Sequence, residues 1–205
     1  MTSYSHFTLE AIEAQFGIKN RMMPLFNSIK EIPVSDFLQR LLNNVAKLPM
    51  KSEKARSEMV VFPILLELRD LQNNFFTIYS GDTLNVDAER GLRGECDFII
   101  AKDTGSLNVN APIFQVVEAK KNDFDIGIPQ CAAQMIASKI FNEKKGMDLN
   151  VIYGCVTTGE AWQFMKYIDN EILIDTRKYY LGDVGELLGV LNEIIDFYKS
   201  ELAYT

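Results

Sequence analysis

A chain of 205 residues can bury one substantial core, and 47% apolar with 24% charged residues is globular rather than disordered composition. The longest apolar runs, such as VVFPILL at 60–66, fall far short of the roughly 18–20 residues that span a bilayer, and the opening MTSYSHFTLE lacks a basic-then-apolar secretory pattern, so a cytoplasmic setting with no membrane segment is expected. With 21 Lys plus Arg against 28 Asp plus Glu, the net charge of −7 opposes unaided binding to a polyanion.

In chain order, residues 8–15 have helical composition and stop near Gly17. A second helix is predicted over 36–47, capped by Ser35 and ended by Pro49, with Phe37, Leu41, Val45 and Leu48 as its apolar positions. Together these form an expected N-terminal helical appendage, residues 1–50, packed on the core of residues 51–205, so that the chain is effectively a single domain. A third helix, 52–71, starts at Ser52 and contains Pro63, which predicts a kink. Strand patterns follow at 75–80, 94–101 and 111–120, then a helix at 128–145 with Pro129 in its first turn. Strands at 151–157, 161–167 and 171–176 and a closing helix at 185–202 complete a mixed α/β sheet flanked by helices. Cys96, Cys131 and Cys155 are odd in number, lack metal-binding spacing and sit in apolar stretches, so three buried reduced thiols are expected.

The chemistry concentrates at one strand end. Alternation in IFQVVEAK sets Phe114, Val116, Glu118 and Lys120 on one face and Ile113, Gln115, Val117 and Ala119 on the other. Both faces are apolar until Glu118, so a buried carboxylate and ammonium there need compensation. GECDFIIA places Asp97 on the preceding strand, and if the two strands pair, Asp97 and Glu118 converge on one divalent ion. Hard carboxylate oxygens suit Mg²⁺ or Mn²⁺. A metal so held polarises a phosphodiester and lowers the pKa of bound water, while Lys120 orients that water or meets the developing charge. Histidine is not needed, and His6 is the only one, which argues against His-based triads, zinc peptidases and HNH nucleases.

The series GLRGECDFIIA, IFQVVEAKK and a helix bearing Gln130 and Gln134 resembles the PD-(D/E)xK nuclease superfamily, also called restriction endonuclease-like. The segments SEKARSE, CDFII, VVEAKK, QCAAQM and YGCVTTGEAWQF are similar, more narrowly, to small bacterial proteins related to the N-terminal nuclease domain of type I restriction subunits. The resemblance implies a helix–three strands–helix–strand core over about 52–157. It implies Asp97, Glu118 and Lys120 as the catalytic set and Gln130 as their support. It also implies a glutamate on the first core helix facing the metal. Glu53, Glu58 and Glu67 compete for that place: Glu53 lies ten residues before Pro63, as the family pattern prefers, and Glu58 lies about 140° further around the helix. Glu53 is taken as the third metal-facing acid. The implied activity is Mg²⁺-dependent hydrolysis of DNA, with a homodimer or partner subunit as a possible assembly. The alternatives are a non-catalytic interaction protein that keeps the fold, favoured by the acidic charge, and an RNA-directed nuclease.

Other patterns have plainer readings. Glu143-Lys144-Lys145 repeats the Glu-x-Lys spacing at a polar helix end. Gly182, Gly185 and Gly189 lack the spacing of a nucleotide loop. Asp123 and Asp125 read as a solvated turn, and Trp162 as core. Lys47, Lys51, Lys54, Arg56, Arg90 and Arg93 could rim a phosphate-binding face, or be an ordinary solvated surface.

Overall fold

A computed structural model describes residues 3–120 and 123–203. The helices are α1 (Leu9–Phe16), α2 (Asp36–Val45), α3 (Glu53–Arg56), α4 (Phe62–Leu71), α5 (Phe124–Lys144) and α6 (Val184–Ala203). The strands are β1 (Lys19–Met23), β2 (Phe76–Thr83), β3 (Glu95–Lys102), β4 (Ile113–Ala119), β5 (Ile152–Thr157), β6 (Ala161–Ile168), β7 (Glu171–Asp175) and β8 (Tyr179–Tyr180). They form one open mixed sheet in the order β1-β7-β6-β5-β4-β3-β2, with β8 paired to β6. β4 and β5, and β1 and β7, run parallel; the other pairs are antiparallel. No helix among the described residues is long and apolar enough to cross a membrane.

Helix starts follow from side-chain caps. Thr8, Ser35 and Ser52 each accept a hydrogen bond from the backbone three residues on, filling an otherwise unpaired donor. Gly17 ends α1 in the left-handed region at φ 70°, where a side chain is unfavourable. α3 and α4 are joined through a π-helical turn, Ser57–Val61. The irregularity expected at Pro63 is thus a π turn immediately before it, where the ladder already shifts to accommodate a residue that cannot donate.

Several expectations need correction. The N-terminal fifty residues are not purely helical: β1 adds the outer parallel strand beside β7, and Tyr4, Ile12, Leu38 and Leu42 share the core cluster of the later residues. Helix α2 carries two apolar stripes, and the buried one is Leu38, Leu42 and Val45, whereas Phe37 is 60% and Leu48 49% exposed. Its rotation is fixed from outside, because Glu67 on α4 accepts from the Ser35 backbone N–H (3.0 Å) and hydroxyl (2.8 Å). Helix α5 begins four residues earlier than predicted, at Phe124, because the Asp123 carboxylate caps Asp125 and Ile126. Pro129 therefore lies inside the helix rather than in its first turn.

The sheet separates two helical layers. Helix α5 and the α1 region cover one face; α4 and α6 cover the other. A register shift between Ile100 and Ala101 breaks the alternation of β4 near its start. Phe114 accordingly stacks on Tyr198 of α6 (4.6 Å between centroids) and on Phe75, away from the Glu118 face it was expected to share. Gly185 and Gly189 of α6 serve packing. A β-carbon at Gly189 would lie 2.4 Å from the Lys30 carbonyl oxygen, and the Ile32 N–H donates to the Gly185 carbonyl at 3.0 Å. The three cysteines are free and buried, and burial pushes each thiol pKa well up, which keeps it protonated.

Candidate active site

Strand β4 is buried along its whole length. It pairs with β3 up to Phe98 opposite Val117, and one further step of that register sets Asp97 opposite Glu118. Directly opposed residues share a face, with β-carbons about 5 Å apart. Beyond the ladder, the Ala119 N–H donates to Asp97 Oδ2 at 2.7 Å, so the Asp97 side chain itself ties the two strand ends together.

Glu118 is 2% exposed and is surrounded by donors. Lys120 Nζ lies 2.6 Å from its Oε1, which confirms that the two side chains point the same way. Gln130 Nε2 donates to the same oxygen at 2.6 Å, and Gln134 Nε2 donates to Oε2 at 2.8 Å. The two glutamines reach one carboxylate because residues four apart stack on one helical face. Gln134 is fully buried and is as direct a partner as Gln130, which the Glu-x-Lys pattern alone did not reveal. These donors supply the compensation that a buried carboxylate requires.

The electrostatics remain tense. Burial, and then the charge of Asp97, push the Glu118 pKa up to about 7, against the opposing pull of Lys120 and Gln134. Burial also raises Asp97, outweighing the Ala119 hydrogen bond and Lys120. Burial lowers the Lys120 pKa, but the charges of Glu118, Asp97 and Glu53 prevail and hold it raised. Two facing carboxylates that each resist ionisation are a site that an added cation relieves.

The three competing helix acids separate clearly. Glu67 is occupied by Ser35. Glu58 is exposed and pairs with Lys54 at 3.7 Å. Glu53 is the one whose charge acts on Asp97 and Lys120, from an exposed position at the start of α3. Among the described residues no group of three or more His, Cys, Asp or Glu side chains stands together as a metal site, so Glu53 influences the pair without completing a three-acid cluster.

Two positions around the centre were not placed there by the sequence. Gly127 lets α5 lie against the strand ends: a β-carbon there would sit 2.5 Å from Val156 Cγ1 and 3.1 Å from Lys120 Cγ. Arg56, earlier grouped only with a diffuse basic rim, donates from Nη1 to the Thr158 carbonyl at 2.7 Å, one residue past the Thr157 carbonyl that accepts from the Lys120 N–H. Its Nε is buried without a hydrogen-bond partner, and no carboxylate among the described residues pairs with it. Two other rim cations are already paired, Lys54 with Glu58 and Arg90 with Asp87 at 2.6 Å.

The fold and site therefore define an α/β protein with two facing carboxylates, one lysine and two supporting glutamines at the end of a buried strand. No protein-family model matches the chain, and no curated protein matches it. The donor set fits a hard divalent ion. Mg²⁺ is commonly held by one or two carboxylates with waters filling the remaining positions, and a two-carboxylate site is what Asp97 and Glu118 offer. Histidine and thiol ligands, which would favour softer metals, are absent from the group.

Proposed function

We propose that this chain is a divalent-metal-dependent endonuclease that hydrolyses DNA phosphodiester bonds and has the restriction endonuclease-like form of the α/β fold. The observation that carries this reading is the opposition of Asp97 and Glu118 at the β3–β4 end, with Lys120 Nζ on the Glu118 carboxylate. The succession of α3/α4, β2, β3, β4, α5 and β5 supports the fold assignment, since it runs helix–three strands–helix–strand.

When bound between Asp97 and Glu118, Mg²⁺ or Mn²⁺ supplies Lewis-acid polarisation and a water of lowered pKa. The residues divide the remaining work. Gln130 and Gln134 fix the orientation of Glu118. Lys120, on the same face, donates to the attacking water or to the phosphoryl oxygen that gains charge. Arg56 has no carboxylate partner among the described residues, and its guanidinium beside the Lys120 strand end is suited to a neighbouring phosphate oxygen. Glu53 shapes the field from α3.

Incubating purified protein with supercoiled and linear DNA in Mg²⁺ or Mn²⁺ tests the proposal. Nicking or cutting that Lys120→Ala abolishes is the expected result; activity that survives the substitution, or no hydrolysis of any DNA form, would overturn it. RNA in the same assay separates the two nucleic acids, because the site chemistry serves either.

A second reading is a non-catalytic interaction protein that retains the site as a folding element. It is favoured by the existing saturation of Glu118, whose two oxygens already accept from Lys120, Gln130 and Gln134, and by the net charge of −7. Thermal denaturation with Mn²⁺ distinguishes the two. Stabilisation of the wild type but not of Asp97→Asn supports a metal site, and no shift in either supports the scaffold.

A further inference from the structure

The acidic centre occupies one end of a row of side chains that runs across the sheet. The registers place Glu118 beside Val156 and Val156 beside Gln163. The β6–β7 register, continued two residues past Met165 and Ile174, brings Thr176 opposite Gln163. Asp97, Glu118, Val156, Gln163 and Thr176 thus share the face covered by α5. Helix α5 crosses this row at Gly127, directly over Val156. Its first turns divide the row: Gln130 and Gln134 face Glu118 on one side, while Phe124 and Ile128 wall a groove of about 680 Å³ on the other. From the strand of Glu118 to that of Gln163 is two strand spacings, about 10 Å.

The groove has a defined chemical character. Its volume is that of a site for a small organic group, and Met22 and Tyr180 extend its apolar lining. Gln163 is buried, and its Nε2 is committed to the Asp175 carbonyl at 2.9 Å, which leaves Oε1 as the acceptor; no described residue donates to it. Glu10 and Asp125 also line the groove, so it disfavours a phosphate and favours a neutral group that brings hydrogen-bond donors. Lys178 Nζ already covers the Phe124 ring at 3.9 Å, whereas Tyr180 is 57% exposed and offers a free aromatic surface for stacking.

We propose that this groove binds a nucleobase of the substrate close to the phosphate held at Asp97 and Glu118, with Gln163 reading an exocyclic amine and Tyr180 stacking on the base. The proposal rests on the phosphodiesterase reading of the acidic centre and adds a specificity site to it. Bases with an exocyclic amine present a donor that Gln163 Oε1 accepts, whereas thymine lacks that group. Stacking on an aromatic ring is sequence-tolerant, so Tyr180 contributes affinity and Gln163 contributes preference.

Titrating the metal-free protein with the four deoxynucleosides, followed by NMR chemical-shift changes, tests the groove separately from hydrolysis. Saturable binding is expected, with thymidine the weakest. Tyr180→Ala, at a surface position, is expected to weaken all binding about tenfold, and Gln163→Leu to erase the discrimination against thymidine. Lys120→Ala should bind nucleosides as the wild type does. Failure of every nucleoside to bind, binding unchanged in Tyr180→Ala, or thymidine binding as tightly as the others would overturn the proposal. Nucleoside binding by a protein that cuts no DNA removes the phosphodiesterase reading alone, and DNA cutting without nucleoside binding removes the groove alone.

Discussion

The chain contains the Glu-x-Lys triplet twice, and the two copies have opposite physical fates. Glu118-Ala119-Lys120 ends a buried central strand, and the Glu118 side chain is 3% exposed. Glu143-Lys144-Lys145 ends α5 in solvent, where Glu143 is 46% exposed and meets Lys139 at 3.1 Å, one turn away. Lys144 reaches the Val86 carbonyl instead of its own triplet's acid. The spacing is identical, so spacing is not what makes a site. The difference lies in a second carboxylate across the sheet, two buried amide donors above it, and the burial of Glu118 away from solvent screening.

The largest expected contrast between the copies is catalytic. Lys120→Ala should lower DNA hydrolysis by about 10²–10³-fold or more, the scale of losing one preorganised donor at developing charge. Lys145→Ala should leave the rate unchanged. Single-turnover cleavage of a labelled plasmid with Mn²⁺ measures both, and a comparable loss in the two variants would dissolve the distinction.

Stability against pH gives the next largest effect. Glu118 has a folded-state pKa raised to about 7, above its ordinary 4.5. Its contribution to stability is fully present below pH 4.5 and is lost as pH rises through about 7, because ionisation becomes harder to accommodate in the fold. Asp97, also raised, acts in the same direction. In chelator, the wild type should therefore lose up to about 3 kcal/mol relative to Glu118→Gln between pH 4.5 and 8. Urea unfolding at the two pH values reads this difference. Mn²⁺ should restore the wild type at pH 8, and leave Glu118→Gln unmoved.

Much of this centre was legible because it combines local patterns with one pairing rule. Apolar runs interrupted by Asp97 and Glu118 marked strand ends, and adjacent antiparallel strands bring such ends together. Alternation correctly joined Lys120 to Glu118. It failed for Phe114, since a bulge depends on how the partner strand fits rather than on the sequence of one strand. Strand β1 was missed because KNRMM is polar and mostly exposed, held by its backbone pairing to β7 rather than by an apolar face. The choice of buried stripe on α2 was likewise undecidable locally: both stripes have helical spacing, and the deciding contact comes from Glu67, thirty-two residues away. Among the three helix acids, sequence spacing favoured Glu53; Glu58 pairs with Lys54 and Glu67 with Ser35, contacts that spacing along one helix does not reveal.

Gly127 supplies a smaller and more local test. Its missing side chain permits the close approach of α5 to Val156 and the Lys120 stem, and the contacting Val156 atom belongs to a short, stiff side chain. Gly127→Ala should cost about 1–3 kcal/mol through overpacking, despite the higher helix propensity of alanine. It should also displace Lys120 and reduce hydrolysis, whereas Gly146→Ala, beside the solvated triplet, should affect stability through its positive φ of 76° and leave hydrolysis unchanged. Denaturant midpoints and cleavage rates measured on the same preparations separate these effects.

The smallest expected effect belongs to the solvated copy itself. Removing Glu143 breaks an i,i+4 contact with Lys139, which also lies 3.7 Å from Asp148 and donates to the Leu149 carbonyl. With those interactions retained and solvent at hand, Glu143→Ala should change stability by less than about 0.5 kcal/mol. A loss several times larger would mean that this helix end is electrostatically coupled to the fold, and that solvent exposure fails to separate the two triplets. A double-mutant cycle with Lys139→Met isolates the pair contribution, which is expected to shrink further as salt is raised.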